Sequence, residues 1–331
     1  MVGGRSLRAI GPGDAVTRVA AIDCGTNSIR LLVADVPPSG AHSDLLRRME
    51  VVRLGQGVDA TGRLAPEAIE RTRRVLAGYA ASARDLGATA VRMAATSATR
   101  DAANRQDFED MVVATLGQPP DVITGREEAE LSFSGATASL AAAAAVHGSA
   151  APEPPFLVVD IGGGSTEFVL GDAAGVRAAR SVDIGCVRLT ERHLHGDPPT
   201  AEEIDRAEKD IRAALDDVRA DVPVGEAATL VGLAGSVTTV AALALELPGY
   251  DADAIHGSRI PVDGVRAVTG DLLAATRATR AALPVMHPGR VDVIGAGALI
   301  LRVLMDEFGL PEVVVSEHDI LDGIALRLVR G

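Results

Sequence analysis

Residues Val158 to Gly171 read V-V-D-I-G-G-G-S-T-E-F-V-L-G, and this stretch decides the fold. Two apolar residues lead into Asp160, three glycines and Ser165-Thr166 follow, and an apolar run resumes after Glu167. The pattern predicts a strand, a tight glycine-rich turn and a second strand hairpinned on the first. Gly162, Gly163 and Gly164 are expected to take positive φ and to let the backbone come close to a ligand. Backbone N–H groups exposed in such a turn make a concave anion site. Asp160 and Glu167 flank it with hard oxygen ligands suited to Mg²⁺. Taken alone, the stretch is equally a plain glycine-rich hairpin, because short Gly motifs are weak evidence.

A second stretch changes that balance. Ala21 to Asp35, A-I-D-C-G-T-N-S-I-R-L-L-V-A-D, aligns without a gap on residues 158–172. Asp23 falls on Asp160, Gly25 on Gly162, Ser28 on Ser165 and Asp35 on Asp172, at one constant offset. The chain therefore repeats a phosphate-type hairpin near the start of each half. The expected architecture is α/β and duplicated, with the two ligand loops facing each other across a cleft. Gly25, Thr26, Asn27 and Ser28 would grip phosphate from one side, and Gly162 to Thr166 from the other. Asp23 and Asp160 end the two leading strands as metal ligands, with Glu167 as a third carboxylate. Turn capping is the structural alternative for either Asp.

With 331 residues the chain has room for two ordinary domains, and 47% hydrophobic residues mark it as globular. The apolar run Ala138 to Val146 is too short to span a membrane. The first residues lack the apolar core of a signal peptide and read as a frayed tail, residues 1–15. Cys24 and Cys186 are the only cysteines, which supports no disulfide framework and fits a reducing cytoplasm. A formal charge of −13 argues against a nucleic-acid or membrane-surface partner, and the absence of Trp removes the best base-stacking residue. A polyanionic substrate is repelled overall, so its site must work through backbone donors, local arginines and a metal ion.

In chain order, a third strand is expected over Leu45 to Leu54, and a helix opens at Pro66 and stops at Gly87. A short strand, Ala90 to Ala94, precedes Thr96-Ser97-Ala98-Thr99-Arg100-Asp101, and Gly125 introduces a helix beginning Arg126-Glu127-Glu128. Residues 148–155 have connector composition. The second half adds a strand near Ala178 to Ile184, helices over 187–195 and 201–218, and a strand over 228–233. Further helices are expected over 262–283 and 291–308, then a strand over 312–316 and a last helix over 320–329. This is βββαβαβα twice, the pattern of the actin-like, sugar-kinase and Hsp70 ATPase superfamily. The domains are expected at 16–134 and 135–316, with the final segment, about 317–331, packing back on the first.

Five motifs, V-A-A-I-D-C-G-T-N-S-I-R-L-L, A-A-T-S-A-T-R-D-A-A-N, I-T-G-R-E-E-A-E-L-S-F, V-V-D-I-G-G-G-S-T-E and L-A-G-S-V-T-T, occur in that order. Together with R-V-D-V-I-G-A-G-A-L-I-L they resemble the exopolyphosphatase and guanosine pentaphosphate phosphohydrolase family, from about Val16 onward. The resemblance implies two actin-like (ribonuclease H-like) domains around a cleft, a homodimer, and Mg²⁺-dependent hydrolysis of terminal phosphate, with Mn²⁺ as a substitute metal. It implies inorganic polyphosphate or guanosine pentaphosphate as substrate. It also assigns the carboxylate that promotes water attack to Glu128. From the residues alone, Glu127 and Glu128 both sit in a first helical turn, where complementing the helix dipole is the ordinary role. Which of the two points inward stays open.

Arg100 resembles the family's phosphate-clamping arginine, a side chain suited to bidentate contact. Gly235 and Ser236 match the position that holds adenosine in kinase relatives and are either a phosphate contact or a helix cap. The histidines, His193 and His195 included, read as surface residues and not as zinc ligands. Leu321-Asp322-Gly323 departs from the Arg-Glu-Gly common in the family. Glu in place of the Asp that activates a sugar hydroxyl argues against a kinase. Finding no Lys/Arg track, only the separate charges Arg100, Arg126, Arg188 and Arg290, we expect short polyphosphates to be preferred.

Overall fold

A computed structural model describes residues 16–37 and 42–330; the expected tail, residues 1–15, lies outside them. Strands β1 (Thr17–Cys24), β2 (Ser28–Val36) and β3 (Ser43–Val51) form an antiparallel meander. Strands β4 (Ala90–Ala95) and β5 (Asp121–Val122) then add in parallel beside β1, giving the order β3-β2-β1-β4-β5. β1 and β2 are buried almost throughout, so they read as continuous apolar runs instead of alternating. The charged β3 closes the edge, with most of its residues exposed.

The second half repeats the plan. β6 (Phe156–Ile161), β7 (Thr166–Asp172) and β8 (Gly175–Val182) are antiparallel, and β9 (Thr229–Leu233) lies parallel to β6. β11 (Glu312–Val315) lies where a strand was expected, and an edge strand that was not expected, β10 (Arg259–Pro261), pairs antiparallel with it. The order is β10-β11-β9-β6-β7-β8.

The last helix, Ile320–Arg330, returns to the first sheet. Ile320, Leu321, Ile324, Ala325 and Leu326 pack with Val19, Ala21, Leu32 and Ala34. Burying each large side chain contributes about 1.5–3 kcal/mol, so this seam anchors the helix firmly. It crosses the helix Gly125–Thr137 at backbone contact. A Cβ on Gly135 would lie 1.9 Å from the Asp319 carbonyl oxygen, and one on Gly323 would lie 2.1 Å from that of Leu131. No other residue fits at either position. By length and composition Gly125–Val146 would pass for a membrane span, but half of it is buried within the protein.

Ion pairs tie the halves together across the cleft. Arg188, held by the Gly164 carbonyl of its own half (2.8 Å), donates to Asp59 (2.9 Å) and Asp101 (3.0 Å), and Arg53 pairs with Asp292 (2.9 Å).

Several local expectations change. The third strand spans 43–51, because Val52 and Arg53 turn back to donate to the Asn27 carbonyl. The helix expected over 262–283 is two, Val262–Ala274 and Arg277–Ala281. Extended Ala275 and Thr276 break it, and Thr276 caps the second piece.

Candidate active site

The two glycine loops close with the same bond: Gly25 N–H donates to the Ser28 carbonyl and Gly162 N–H to that of Ser165, both at 3.0 Å. That leaves the N–H groups of Asn27, Gly163 and Gly164 with no protein acceptor among the described residues, a cradle for anionic oxygens. The glycines serve close approach and not positive φ, since none of Gly162, Gly163 and Gly164 takes it. A Cβ on Gly163 would meet Thr26 Cβ at 3.0 Å and Asn27 N at 3.3 Å, so the loops touch tip to tip. Between them and the opposing helices lies a cavity of about 100 Å³. That space admits a phosphate group together with water.

Glu128 lines the cavity and Glu127 does not. Thr124 caps their helix by accepting from Glu127 N–H (3.2 Å), and the next residue along the helix turns inward. Glu127 instead pairs with Arg92 (2.8 Å) and Arg327 (3.1 Å) on the outside. Arg100 does not line the cavity. Its Nη1 donates to Glu128 Oε2 (3.2 Å) and to the Ile123 carbonyl (3.1 Å), which ties it to the Glu128 carboxylate at the cavity edge. Burial pushes the Glu128 carboxyl well above the usual range, Glu167 adds to the rise, and Arg100 opposes it.

Asp23 and Asp160 line the cavity as expected, but the duplication is not symmetric. Across each hairpin, Asp160 pairs in register with Glu167, whereas Asp23 pairs with Arg30. Arg30 holds Asp23 Oδ2 at 2.6 Å and also bonds Asp319, which enters from the end of β11. Asp160 accepts from Ser132 Oγ (2.9 Å), and Glu167, just behind the cavity wall, accepts from Ser181 Oγ (2.8 Å). Burial raises Asp160 to about 6 against the pull of Arg30, and burial followed by Asp160 raises Glu167 to about 7.

On the Asp160 side the positive charges act only from a distance: among the described residues neither Asp160 nor Glu167 has an ion-pair partner. Asp23 Oδ1 and Asn27 Oδ1 are also buried with no partner. Hard, anionic and under-satisfied oxygens fit a divalent cation well.

The remaining expected residues divide. Thr26, Asn27, Ser28, Gly25, Gly162, Gly163 and Ser165 all line the cavity, as do Gly235 and Ser236. Gly164 backs instead onto Thr26 and Ser97, beside a smaller void. Thr166 is withdrawn, because its hydroxyl donates to the Ile184 carbonyl inside the core. Strand alternation turns it away from its neighbour Ser165. Ala234 holds φ 68°, a strained value for a residue with a Cβ, which bends the chain to present Gly235 and Ser236. Of the four separate arginines, only Arg290 reaches the cavity. Arg126 pairs with Glu130 on the surface, and Arg188 is committed to Asp59 and Asp101.

Residues 32–330 match the model of the Ppx/GppA phosphatase family. The chain belongs to that family. Members use divalent metals, in keeping with the carboxylate cluster. It is 53% identical over 326 residues to exopolyphosphatase 2 of Mycobacterium tuberculosis, covering 95% of this chain and 99% of that one. Among solved structures, an exopolyphosphatase-like protein is 41% identical with a TM-score of 0.89 over 95% of this chain and 99% of the other. The Ppx/GppA family member from Aquifex aeolicus is 31% identical with a TM-score of 0.75, over 96% of this chain and 98% of the other.

Arg30, Asp319, Ser132 and Ser181 were missed from sequence. One signal was available for Arg30: it stands opposite Glu167 in the internal repeat, a charge reversal beside the loop. His195 is exposed as expected, but three other histidines depart from the expected surface placement. His42, His256 and His318 form a half-buried cluster where the last helix begins, with His256 stacked on His318 at 4.5 Å and His42 5.5 Å from it.

Proposed function

We propose that this protein is an exopolyphosphatase that removes terminal orthophosphate from inorganic polyphosphate. The observation that carries the reading is a buried Glu128, held by Arg100, lining one small cavity with the unpaired Asn27 and Gly163 N–H groups. The name of the Mycobacterium tuberculosis relative supports the substrate class. Glu128 takes a proton from water as the water oxygen bonds the terminal phosphorus. The bridging P–O bond breaks, and its electron pair leaves on the shortened polymer. Backbone N–H groups of both loops hold the non-bridging oxygens while charge redistributes. Asp160 and Glu167, with Asp23 beside them, would hold Mg²⁺, or Mn²⁺ in its place. That ion supplies charge neutralisation for the phosphates when bound.

One observation favours guanosine pentaphosphate as a second substrate. Beyond Gly235 and Arg290 a further cavity of about 450 Å³ opens, walled in part by Tyr250, Pro284, Val285 and Met286. Such a wall suits a planar base. We place the enzyme in the cytoplasm, in keeping with its two buried free thiols, and take the homodimer from the family resemblance. Its mass in solution tests the dimer. Orthophosphate release from short polyphosphate, long polyphosphate, guanosine pentaphosphate and ATP, measured side by side with Mg²⁺, tests the substrate. Failure on both polyphosphates would overturn the reading.

A further inference from the structure

At the junction of β3, the last helix and the segment before it, three side chains converge from distant parts of the chain. One ring nitrogen of His42, one of His318 and one oxygen of Asp322 all lie within 4.8 Å of one another. We propose that His42, His318 and Asp322 form a zinc site, separate from the catalytic carboxylates, that clips the last helix to the edge of the first sheet. Two imidazoles and a carboxylate are the ligand set of a borderline divalent ion, with the fourth position open to solvent or Asp44.

Support comes from the groups around the ligands, because metal-binding imidazoles and carboxylates are oriented by partners on their far side. His256 accepts the Glu317 N–H on Nδ1 at 3.2 Å, so its proton sits on Nε2, which donates to Ser139 Oγ at 3.1 Å. The same hydroxyl lies 2.8 Å from His318 Nδ1 and can accept Nδ1–H there, the tautomer that metal binding at Nε2 selects. In this tautomer His318 Nε2 carries a free lone pair. It has no protein partner among the described residues.

On the other side, Asp322 Oδ1 is 2.9 Å from His42 Nε2, and Asp44 Oδ1 is 3.2 Å from the same nitrogen. The Nε2 proton of His42 thus lies between two carboxylates, the position a metal would take. Arg47 supports both acids, with Nε on Asp44 (2.9 Å) and Nη2 on Asp322 (2.6 Å), and Asp319 N–H donates to Asp322 Oδ2 (2.8 Å). Arg47 Nη1 adds a further bond to Asp322 Oδ2 (3.3 Å), so the roughly four lone-pair sites of this carboxylate are filled and a metal would take the Oδ1 site that the His42 proton now occupies. Tetrahedral bonds near 2 Å set ligand atoms about 3.3 Å apart, so closure requires side-chain movements of about 1 Å.

The test is Zn²⁺ titration of untagged, chelator-stripped protein by calorimetry under saturating Mg²⁺, which fills the catalytic carboxylates. One Zn²⁺ per chain is expected, with a rise in Tm and, on Co²⁺ substitution, a visible d–d absorption band. His42→Ala and His318→Ala should each weaken binding at least tenfold while keeping Mg²⁺-supported activity. Asp160→Asn should bind Zn²⁺ as the unaltered protein does. No Zn²⁺ uptake, unchanged affinity in both histidine variants, or loss of uptake in Asp160→Asn would each overturn the site.

Discussion

Arg30 and Glu167 occupy equivalent positions in the two hairpins, each directly across its strand pair from the aspartate that leads into the loop. One half therefore carries an internal cation beside its Asp and the other carries a second anion. Burial raises all three acids, but Asp23 is paired with Arg30 at 2.6 Å, whereas Glu167 has Asp160 as a further cause of its rise. The proposed mechanism therefore puts its divalent cation on the Asp160 side. Asp160→Asn should raise the Mg²⁺ concentration for half-maximal activity at least about tenfold, and Asp23→Asn should raise it less. EDTA should abolish turnover and Mg²⁺ or Mn²⁺ restore it. Activity that survives exhaustive chelation removes the metal from the mechanism.

Glu128 and Glu127 differ by one helical step and by environment. The first is buried at the cavity and the second is held outside by Arg92 and Arg327. Glu128→Gln keeps size and polarity but removes the base, so kcat should fall by about 10² or more with KM little changed. Glu127→Gln should be mild. The reverse ranking would move the base to Glu127.

Arg100 opposes the burial that raises Glu128. Replacing it with Met keeps much of the side-chain length and removes the charge, so Glu128 must become still harder to ionise. A base works only when ionised, so the acid limb of the kcat/KM profile should move to higher pH. If Arg100 instead grips phosphate directly, KM rises and the limb stays where it is.

Raised carboxylates also set the stability of the metal-free protein. Glu167 titrates near 7 in the fold and at an ordinary value when unfolded, so the native state binds more protons between those values. Stability must therefore fall as pH rises through that window. His42, held protonated to about 9 by Asp322 and Asp44, moves stability the same way above its ordinary pKa. His256, held neutral down to about 4, opposes the trend only at lower pH. Without metal, Tm should drop from about pH 6.5 to about pH 8, and Mg²⁺ should restore more at the alkaline end. A metal-free Tm that climbs across this range contradicts the raised carboxylates.

The duplicated loops were legible because an apolar strand, Asp, Gly and Ser recur at one offset, and the fold closes both with the same Gly-to-Ser bond. The facing of Glu128 was not. Adjacent residues on a helix point about 100° apart, and the packing of the last helix at Gly135 and Gly323 helps fix how that helix is turned. The withdrawal of Thr166 follows from strand alternation once the start of β7 is known. Arg30–Asp319 and His42–His318 join residues hundreds of positions apart, so no local spacing announces them.

Chain length is the sharpest remaining test of the substrate site. The catalytic cavity admits a phosphate group, and the next phosphates must leave through the larger opening lined by Arg30, Arg47, Arg48 and Arg290. The sequence reading saw no basic cluster, and the fold assembles this one from three separate segments. Its charge is largely spent, however: Arg30 is shared by Asp23 and Asp319, and Arg47 by Asp44 and Asp322. Among the described residues, Arg48 has no ion-pair partner and Arg290 bonds only Thr239 Oγ1 (3.1 Å), while Glu317 lines the same space. Two available cations and a nearby carboxylate grip only a few phosphates of a polyanion. Release should therefore be distributive, with KM falling little beyond the first several phosphates, and Arg290→Ala should raise KM more than it lowers kcat. Gel analysis of long polyphosphate should reveal a ladder of intermediates. Long polymer that vanishes without intermediates, or a KM that keeps dropping with length, would mean a further binding track and refute this account.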